Sequence, residues 1–225
     1  NYIMKKKTAL VTGASRGIGK SIKESLLNEQ IEVISPSRNE LDLSSSESID
    51  NFLTNLSKSI DILVNNAGIL KVGKHNDLSS SDFQEILQVN VIAPFEIISG
   101  VVESMKQKKF GRIVNISSIW GQISREGRSL YSSSKAALDA LTKSFALEFG
   151  PYNVLINSVA PGYVDTELIK KHNTDLELAE IKKTIPLQRF AKKTEISNLV
   201  KFLCSEDNSY VTGQIITIDG GYVCK

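Results

Sequence analysis

Cysteine is scarce in this sequence: its 225 residues include only Cys204 and Cys224. So sparse a pair rules out a disulfide-stapled scaffold, and no Cys-x-x-Cys is present. The two histidines, His75 and His172, are too isolated to mark a zinc centre. A reducing, cytoplasmic setting is the expectation. Long apolar runs are also lacking. No stretch reads as approaching the roughly 18 residues of a membrane helix, so no membrane association is expected. Asn1-Tyr2-Ile3-Met4 has no apolar signal core, and Met4 is expected to be the natural start. Charge of one sign is missing too. Twenty-seven basic residues against 25 acidic ones leave +2, which gives no strong pull toward nucleic acid or an anionic surface. The Lys5-Lys6-Lys7 run reads as a solvated lead-in to the first strand.

What is present is ordinary for a globular chain: 41% hydrophobic and 23% charged residues. A chain of this length can bury a core without staples. With no repeat, linker or low-complexity tract, one domain over 1–225 is expected. Short apolar, β-branched runs at 8–12, 32–35, 61–65, 112–117, 155–159 and 214–219 read as buried strands. Helical spacing appears over 18–29, 46–57, 80–89, 93–108, 131–149 and 193–203. Strand and helix alternate throughout, the pattern of a doubly wound, Rossmann-type parallel sheet in an α/β/α sandwich. The polar, lysine-rich segment 165–191 interrupts this rhythm and is expected to be a helical lid over the site.

The first strand runs into Thr12-Gly13-Ala14-Ser15-Arg16-Gly17-Ile18-Gly19. Glycines there permit a tight turn and close approach of backbone to ligand. The helix that follows aims its free N–H groups and positive dipole end at a phosphate. A strand-to-helix setting is what such a glycine pattern requires to mean dinucleotide binding. The end of the second strand, Ser35-Pro36-Ser37-Arg38, has no acid before Glu40. An acid at this place would bind a ribose 2′-hydroxyl and repel a 2′-phosphate. Arg38 and Arg16, with the Ser37 hydroxyl, suit a phosphate instead, so NADP(H) is expected over NAD(H).

Tyr131-Ser-Ser-Ser-Lys135 places a phenol and an ammonium on one helix face. The ammonium is expected to lower the tyrosine pKa, so that the phenol exchanges a proton near neutral pH. Ser117-Ser118, Asn65-Asn66-Ala67-Gly68 and Pro161-Gly162 each follow a strand, and Asn90 is expected to end a helix. In a parallel sheet all of these gather beyond the carboxyl ends of the strands.

Together with Thr166, Thr212-Gly213 and Asp219-Gly220-Gly221, these motifs resemble the short-chain dehydrogenase/reductase family over essentially the whole chain. Ile185-Pro-Leu-Gln-Arg-Phe190 and the tail are most similar to the 3-oxoacyl-[acyl-carrier-protein] reductases. The resemblance implies a catalytic set of Asn90, Ser118, Tyr131 and Lys135. Tyr131 would be the general acid in reduction. Lys135 would lower its pKa and hold the nicotinamide ribose. Ser118 would bind the carbonyl oxygen, and Asn90 would keep a helix kinked and order a water that links Lys135 to solvent.

Cofactor contacts are implied for Gly13, Ser15, Arg16, Gly17, Ile18 and Gly19. Beyond the second strand they are implied for Ser37, Arg38, Asp42 and Leu43. Tyr131 and Lys135 also belong to this set, as do Asn66, Ala67 and Gly68, with Asn65 beside the last two in the adenosine and ribose region. Past the fifth strand the set is Pro161, Gly162, Val164 and Thr166. No metal is implied. The family's helix after the second strand, which precedes a third strand there, is missing here, since the chain runs almost directly from Arg38 to Leu41-Asp42-Leu43.

The substrate expected is a small-molecule or acyl-thioester carbonyl compound. A reductase of a nucleotide sugar or polyol is the alternative, and a non-catalytic binding protein on the same scaffold a third. A homotetramer or homodimer is expected. Family members pair through the helix after Asn90 and the Tyr131 helix, both of which carry broad apolar surfaces here. The 220–223 segment is expected to join a second interface.

Overall fold

The computed structural model describes residues 6–171 and 173–224. His172, Lys5 and the expected start at Met4 lie outside the described residues. Six strands form one all-parallel sheet: β1 Thr8–Val11, β2 Glu32–Ile34, β3 Ile62–Asn65, β4 Gly111–Ile116, β5 Val154–Pro161 and β6 Ile215–Ile218. Their order is β2-β1-β3-β4-β5-β6. Every residue of β1, β3, β4 and β5 is buried, which is why these strands show no alternation of apolar and exposed polar positions.

Helices cover both faces. On one side α2 (Ser46–Thr54), α4 (Ala93–Lys108) and α5 (Ser129–Phe149) enclose Leu10, Leu63, Ile97, Ile113, Phe145 and Ile156. On the other, α1 (Gly17–Asn28) and α8 (Lys193–Cys204) close over Val11, Ile22, Val64, Val114, Val159 and Val200. The chain order reverses between β1 and β3. This switch point opens a crevice at their carboxyl ends, where ligands of such sheets sit.

The segment between β2 and α2 holds no helix, as the sequence indicates, and Leu41-Asp42-Leu43 forms no strand. The sheet therefore stops at β2. Leu41 and Leu43 are 5% and 9% exposed and join the core. Each contributes about 1.5–3 kcal/mol by leaving water. The two anchors turn the intervening Asp42 toward the crevice.

Two expectations need correction. Asn90 does not end a helix. Helix α3 (Ser80–Leu87) passes through one wider π turn, Gln88–Ile92, directly into α4. Such turns inside a helix make room for a side chain that leaves the regular ladder. The joined helix Ser80–Lys108 has 29 residues and a window of mean hydropathy 1.5. By length and composition it is long and apolar enough to span a membrane, contrary to the sequence reading, which divided it at Asn90. Its Ala93, Ile97, Ile98, Val101 and Met105 are spent in the core beneath the sheet.

Segment 165–191 leaves the sheet and returns to it at one point. Val164 and Ala191 form a parallel bridge, and the Asp165 N–H donates to Ala191 O at 2.9 Å. Between them lie α6 (Glu167–Lys171) and α7 (Asp175–Thr184), the latter closed by a reciprocal Thr174–Glu177 cap. Leu178, Ile185 and Phe190 give the excursion a small core of its own against Tyr163 and Tyr222.

Candidate active site

The turn after β1 is held by its neighbour. Asn66 Nδ2 donates to Thr12 O and Gly13 O, both at 3.0 Å. Thr12 Oγ1 in return accepts the N–H groups of Asn66 and Ala67 at 3.1 Å. Gly13 and Gly17 have φ of +64° and +58°, which side-chain-bearing residues rarely adopt. A Cβ on Gly13 would lie 2.9 Å from the Ala67 backbone, so the two loops touch without side chains between them.

A cleft of about 320 Å³ opens beside this turn. Gly13 and Ser15 line one wall, Ser37, Arg38, Asp42 and Leu43 a second, and Ala67 and Gly68 a third. Glu85 of α3 also reaches it, unanticipated from sequence. Glycine backbone, the turn that leads into α1 and Arg38 fit the phosphates of a nicotinamide dinucleotide. Asn66 is used to hold the turn rather than to line the cleft.

Asn65, expected beside the adenosine, faces the sheet interior and donates to Asn115 Oδ1 at 2.9 Å. Arg16 caps α1, is exposed and does not line the cleft. Gly17, Ile18 and Gly19 lie behind the turn, in α1. Thr166 closes over it, with Cγ2 4.0 Å from where a Gly17 Cβ would stand. Gly162 abuts Asp219, and Val164 is buried at the hinge of the excursion.

The reactive side chains converge at the carboxyl ends of β4 and β5. Helix α5 is fixed to the sheet by a buried polar ladder that the sequence reading missed. Asn115 Nδ2 donates to Thr142 Oγ1, which pairs with Ser158 Oγ, each at 2.9 Å. Bonds of this kind must be satisfied once buried, so they hold the helix in a single register. Ser118 follows β4, is 7% exposed, and accepts the Trp120 N–H at 3.3 Å. Its hydroxyl lies near enough to the Tyr131 phenol to favour the phenolate.

Lys135 is 4% exposed, and its Nζ donates to Ile116 O at 2.8 Å. Nζ stands 5.7 Å from the Tyr131 ring centroid and 3.6 Å from where a Gly68 Cβ would be. Asn90 joins them through the π turn: its Nδ2 donates to Ser134 Oγ at 3.0 Å and Ile69 O at 2.9 Å, while its Oδ1 accepts the Ile69 N–H at 2.9 Å.

The electrostatics differ from the sequence expectation. Burial pushes the Tyr131 phenol up from 10.0, opposed by the nearby Ser118 hydroxyl and then by Arg128. Burial also brings Lys135 down to about 8, and Asp139 opposes that fall. The phenol is therefore protonated at neutral pH, as a proton donor must be. Asp139, one turn beyond Lys135, is a buried carboxyl with neither oxygen hydrogen-bonded. Burial pushes its pKa up, and the Ser117 and Ser158 hydroxyls favour the charged form from slightly beyond bonding distance.

A family model described as enoyl-(acyl carrier protein) reductase matches residues 21–223. Near full-length relatives point the same way. The 3-oxoacyl-[acyl-carrier-protein] reductase FabG of Aquifex aeolicus is 38% identical over 96% of both chains. The chain belongs to the short-chain dehydrogenase/reductase family. The uncharacterized oxidoreductase YmfI of Bacillus subtilis is 35% identical over 97% of this chain and 99% of its own. Among solved structures of the family, 4-hydroxyisoleucine dehydrogenase complexed with NADH superposes with a TM-score of 0.93 at 32% identity, covering 98% of this chain and 100% of that one. A short-chain type dehydrogenase/reductase from Mycobacterium marinum gives 0.89 at 31%, over 97% and 96%. The chain is accordingly an oxidoreductase of nucleotide-binding, Rossmann-like fold. Its relatives differ in their named reactions, so family membership alone does not choose the substrate.

Proposed function

We propose that this chain is a single-domain, NADP(H)-dependent reductase of a carbonyl carbon, with 3-oxoacyl thioesters as the nearest substrate type. The observation that carries the reading is the meeting of Ser118, Tyr131 and Lys135 beside the glycine-lined cleft. The bound nicotinamide supplies the hydride. The protein's part is positioning and proton supply.

In this reading the Ser118 hydroxyl holds the substrate oxygen, and Tyr131 gives up the phenolic proton as that oxygen gains electrons. Lys135 sits close enough to favour the phenolate left behind. Asn90 holds the loop after β3 against α5 and so keeps Lys135 in place. Segment 165–191, hinged at Val164 and Ala191, serves as the lid. The cytoplasm is the setting, in keeping with two free cysteines, one of them exposed.

NADPH is the preferred cofactor. The acids near its ribose are engaged elsewhere: Glu40 accepts the Ser37 N–H at 2.7 Å, and Asp42 accepts from Ser44 at 2.7 Å. Arg38 lines the cleft, largely exposed, and stands 3.8 Å from Asp42. Arg38→Ala is expected to weaken NADPH binding by about tenfold or more, the worth of one charge-assisted hydrogen bond, while NADH binding changes little. Dissociation constants for both cofactors check this. Equal affinities in the wild type, or an unchanged NADPH constant in the variant, would rule out phosphate recognition here.

A homodimer through α4 and α5, extending to a tetramer, completes the reading. Most apolar residues of α4 turn inward, so the support is narrower than its sequence implies. It lies in Ile92, Phe95 and Leu147, which are 41%, 45% and 82% exposed. The 220–223 segment supports a second interface poorly, because Tyr222 packs edge-on against Trp120 and Tyr163 of its own chain. Light scattering is expected to give twice or four times the 24.7 kDa chain mass. A fully active monomer would refute the assembly.

A further inference from the structure

Arg128 stands near the Tyr131 phenol, with Arg125 close to it, and neither has a counter-charge. Arg128 immediately precedes α5, one turn before Tyr131. Its Nε is buried and has no hydrogen-bond partner. Burial, and then Arg125, hold its pKa below the ordinary value, and Tyr163 and Tyr131 are the groups near enough to oppose that. Arg125 lies with its guanidinium 5.6 Å over the Trp120 ring. Among the described residues neither guanidinium makes an ion pair or a side-chain hydrogen bond. The carboxylate of the same loop, Glu126, is taken by Lys74 at 3.2 Å.

Two other arginines of the fold look different. Arg112 is 3% exposed and donates to Gly111 O, Asn153 O and Ser205 O at 2.9, 3.2 and 3.2 Å. Arg189 meets Glu195 through two parallel bonds of 2.8 and 2.7 Å. Those arginines are satisfied by the protein. Arg128 is held in place without being satisfied: Gly127 makes the turn at φ +78°, its carbonyl accepts the Gly73 N–H at 3.2 Å, and Arg128 O accepts the Ser132 N–H at 2.8 Å. Two like charges side by side, one of them partly desolvated, repel each other until an anion arrives.

We infer that Arg125 and Arg128 form an anion subsite that receives a carboxylate carried by the substrate a few bonds from its reacting carbonyl. The guanidinium fork matches a carboxylate in geometry as well as charge. Trp120, Tyr163 and Tyr222 supply an aromatic wall for the short apolar body between the two groups. Oxo acids are thus favoured over neutral ketones and esters of the same skeleton. The inference rests on the carbonyl-reductase part of that reading and moves its substrate from the neutral acyl thioester to a free oxo acid.

Trp120 is the chain's single tryptophan, so it reports on the wall directly. Two measurements on the NADP(H)-loaded protein separate the inference from the reading beneath it. The first is tryptophan fluorescence during titration with succinate, a carboxylate that cannot be reduced. A saturable change is expected, weakened about tenfold or more in Arg128→Met with NADPH affinity unchanged. Arg125→Met, altered at an exposed position, provides the same test if Arg128→Met folds poorly.

The second is NADPH oxidation with 3-oxobutanoate and with its methyl ester. The acid is expected to exceed the ester about tenfold or more in kcat/KM, with the preference falling to near unity in the variant. No saturable succinate response, the same response in both variants, or an ester as good as the acid would overturn the subsite. Oxidation of neither compound, with a succinate response that the variants lose, would count against the carbonyl-reductase reading and leave the subsite standing.

Discussion

Replacing Tyr131 by phenylalanine is expected to leave the fold and NADPH binding intact and to cut turnover about 10²–10⁴-fold, the usual worth of a positioned proton donor. The ring still fills its place against Lys135, so the packing of α5 does not change. What disappears is the hydroxyl that Ser118 contacts and that burial keeps protonated. The matched measurements are an NADPH titration and kcat on the best substrate found in an oxidation screen of acyl thioesters, oxo acids, sugars and small ketones. A variant that retains more than about a third of the wild-type rate would remove Tyr131 from the chemistry.

The second large effect is structural. Gly19→Ala is expected to disable the cofactor turn. A Cβ at Gly19 would stand 2.3 Å from both Asn66 Nδ2 and Gly13 O, far inside contact distance. Asn66 would have to leave the two carbonyls it holds, and the β1–α1 turn would open with it. Overpacking of this kind costs about 1–3 kcal/mol, which in a chain of this length lowers Tm by roughly 2–12 °C. NADPH affinity is expected to fall at least about tenfold, because the backbone donors at the helix start lose their arrangement. Gly150→Ala is the control, since a Cβ there meets nothing within 4 Å. A Gly19→Ala protein with wild-type Tm and NADPH affinity would contradict this account of the turn.

The sheet and its main helices were legible because each buried strand is a short run rich in apolar residues and each covering helix repeats at 3.6 residues. The positions of Ser118, Tyr131 and Lys135 were legible for a related reason. They sit at strand ends and at i, i+4 on one helix, where local spacing already fixes geometry.

What stayed hidden depended on contacts between segments distant in sequence. Asn90 looked like a helix end because a π turn breaks the 3.6 period without ending the helix. Asn65 sits in the same tetrapeptide as the cleft residues Ala67 and Gly68, yet strand alternation turns it inward to Asn115. The phenol's raised pKa follows from burial, which sequence spacing does not record, whereas the YxxxK pattern had drawn attention to the ammonium alone. Arg128 and Asp139 gave only a weak signal, a charge just before or on a helix that carries several others. Their isolation emerges once neighbouring strands and loops are in place.

The early stop of the sheet at β2 also bears on how the protein behaves in a crowded solution. An outer strand offers its unpaired backbone groups to any extended peptide, and long flat edges seed fibres. Here that edge is three residues long. Pro36 follows almost at once and cannot donate to a foreign strand. Glu32 at its start is ion-paired to Lys58, which puts charge where a stacking partner would have to dock. A shorter sheet has thus been obtained without exposing a template for aggregation.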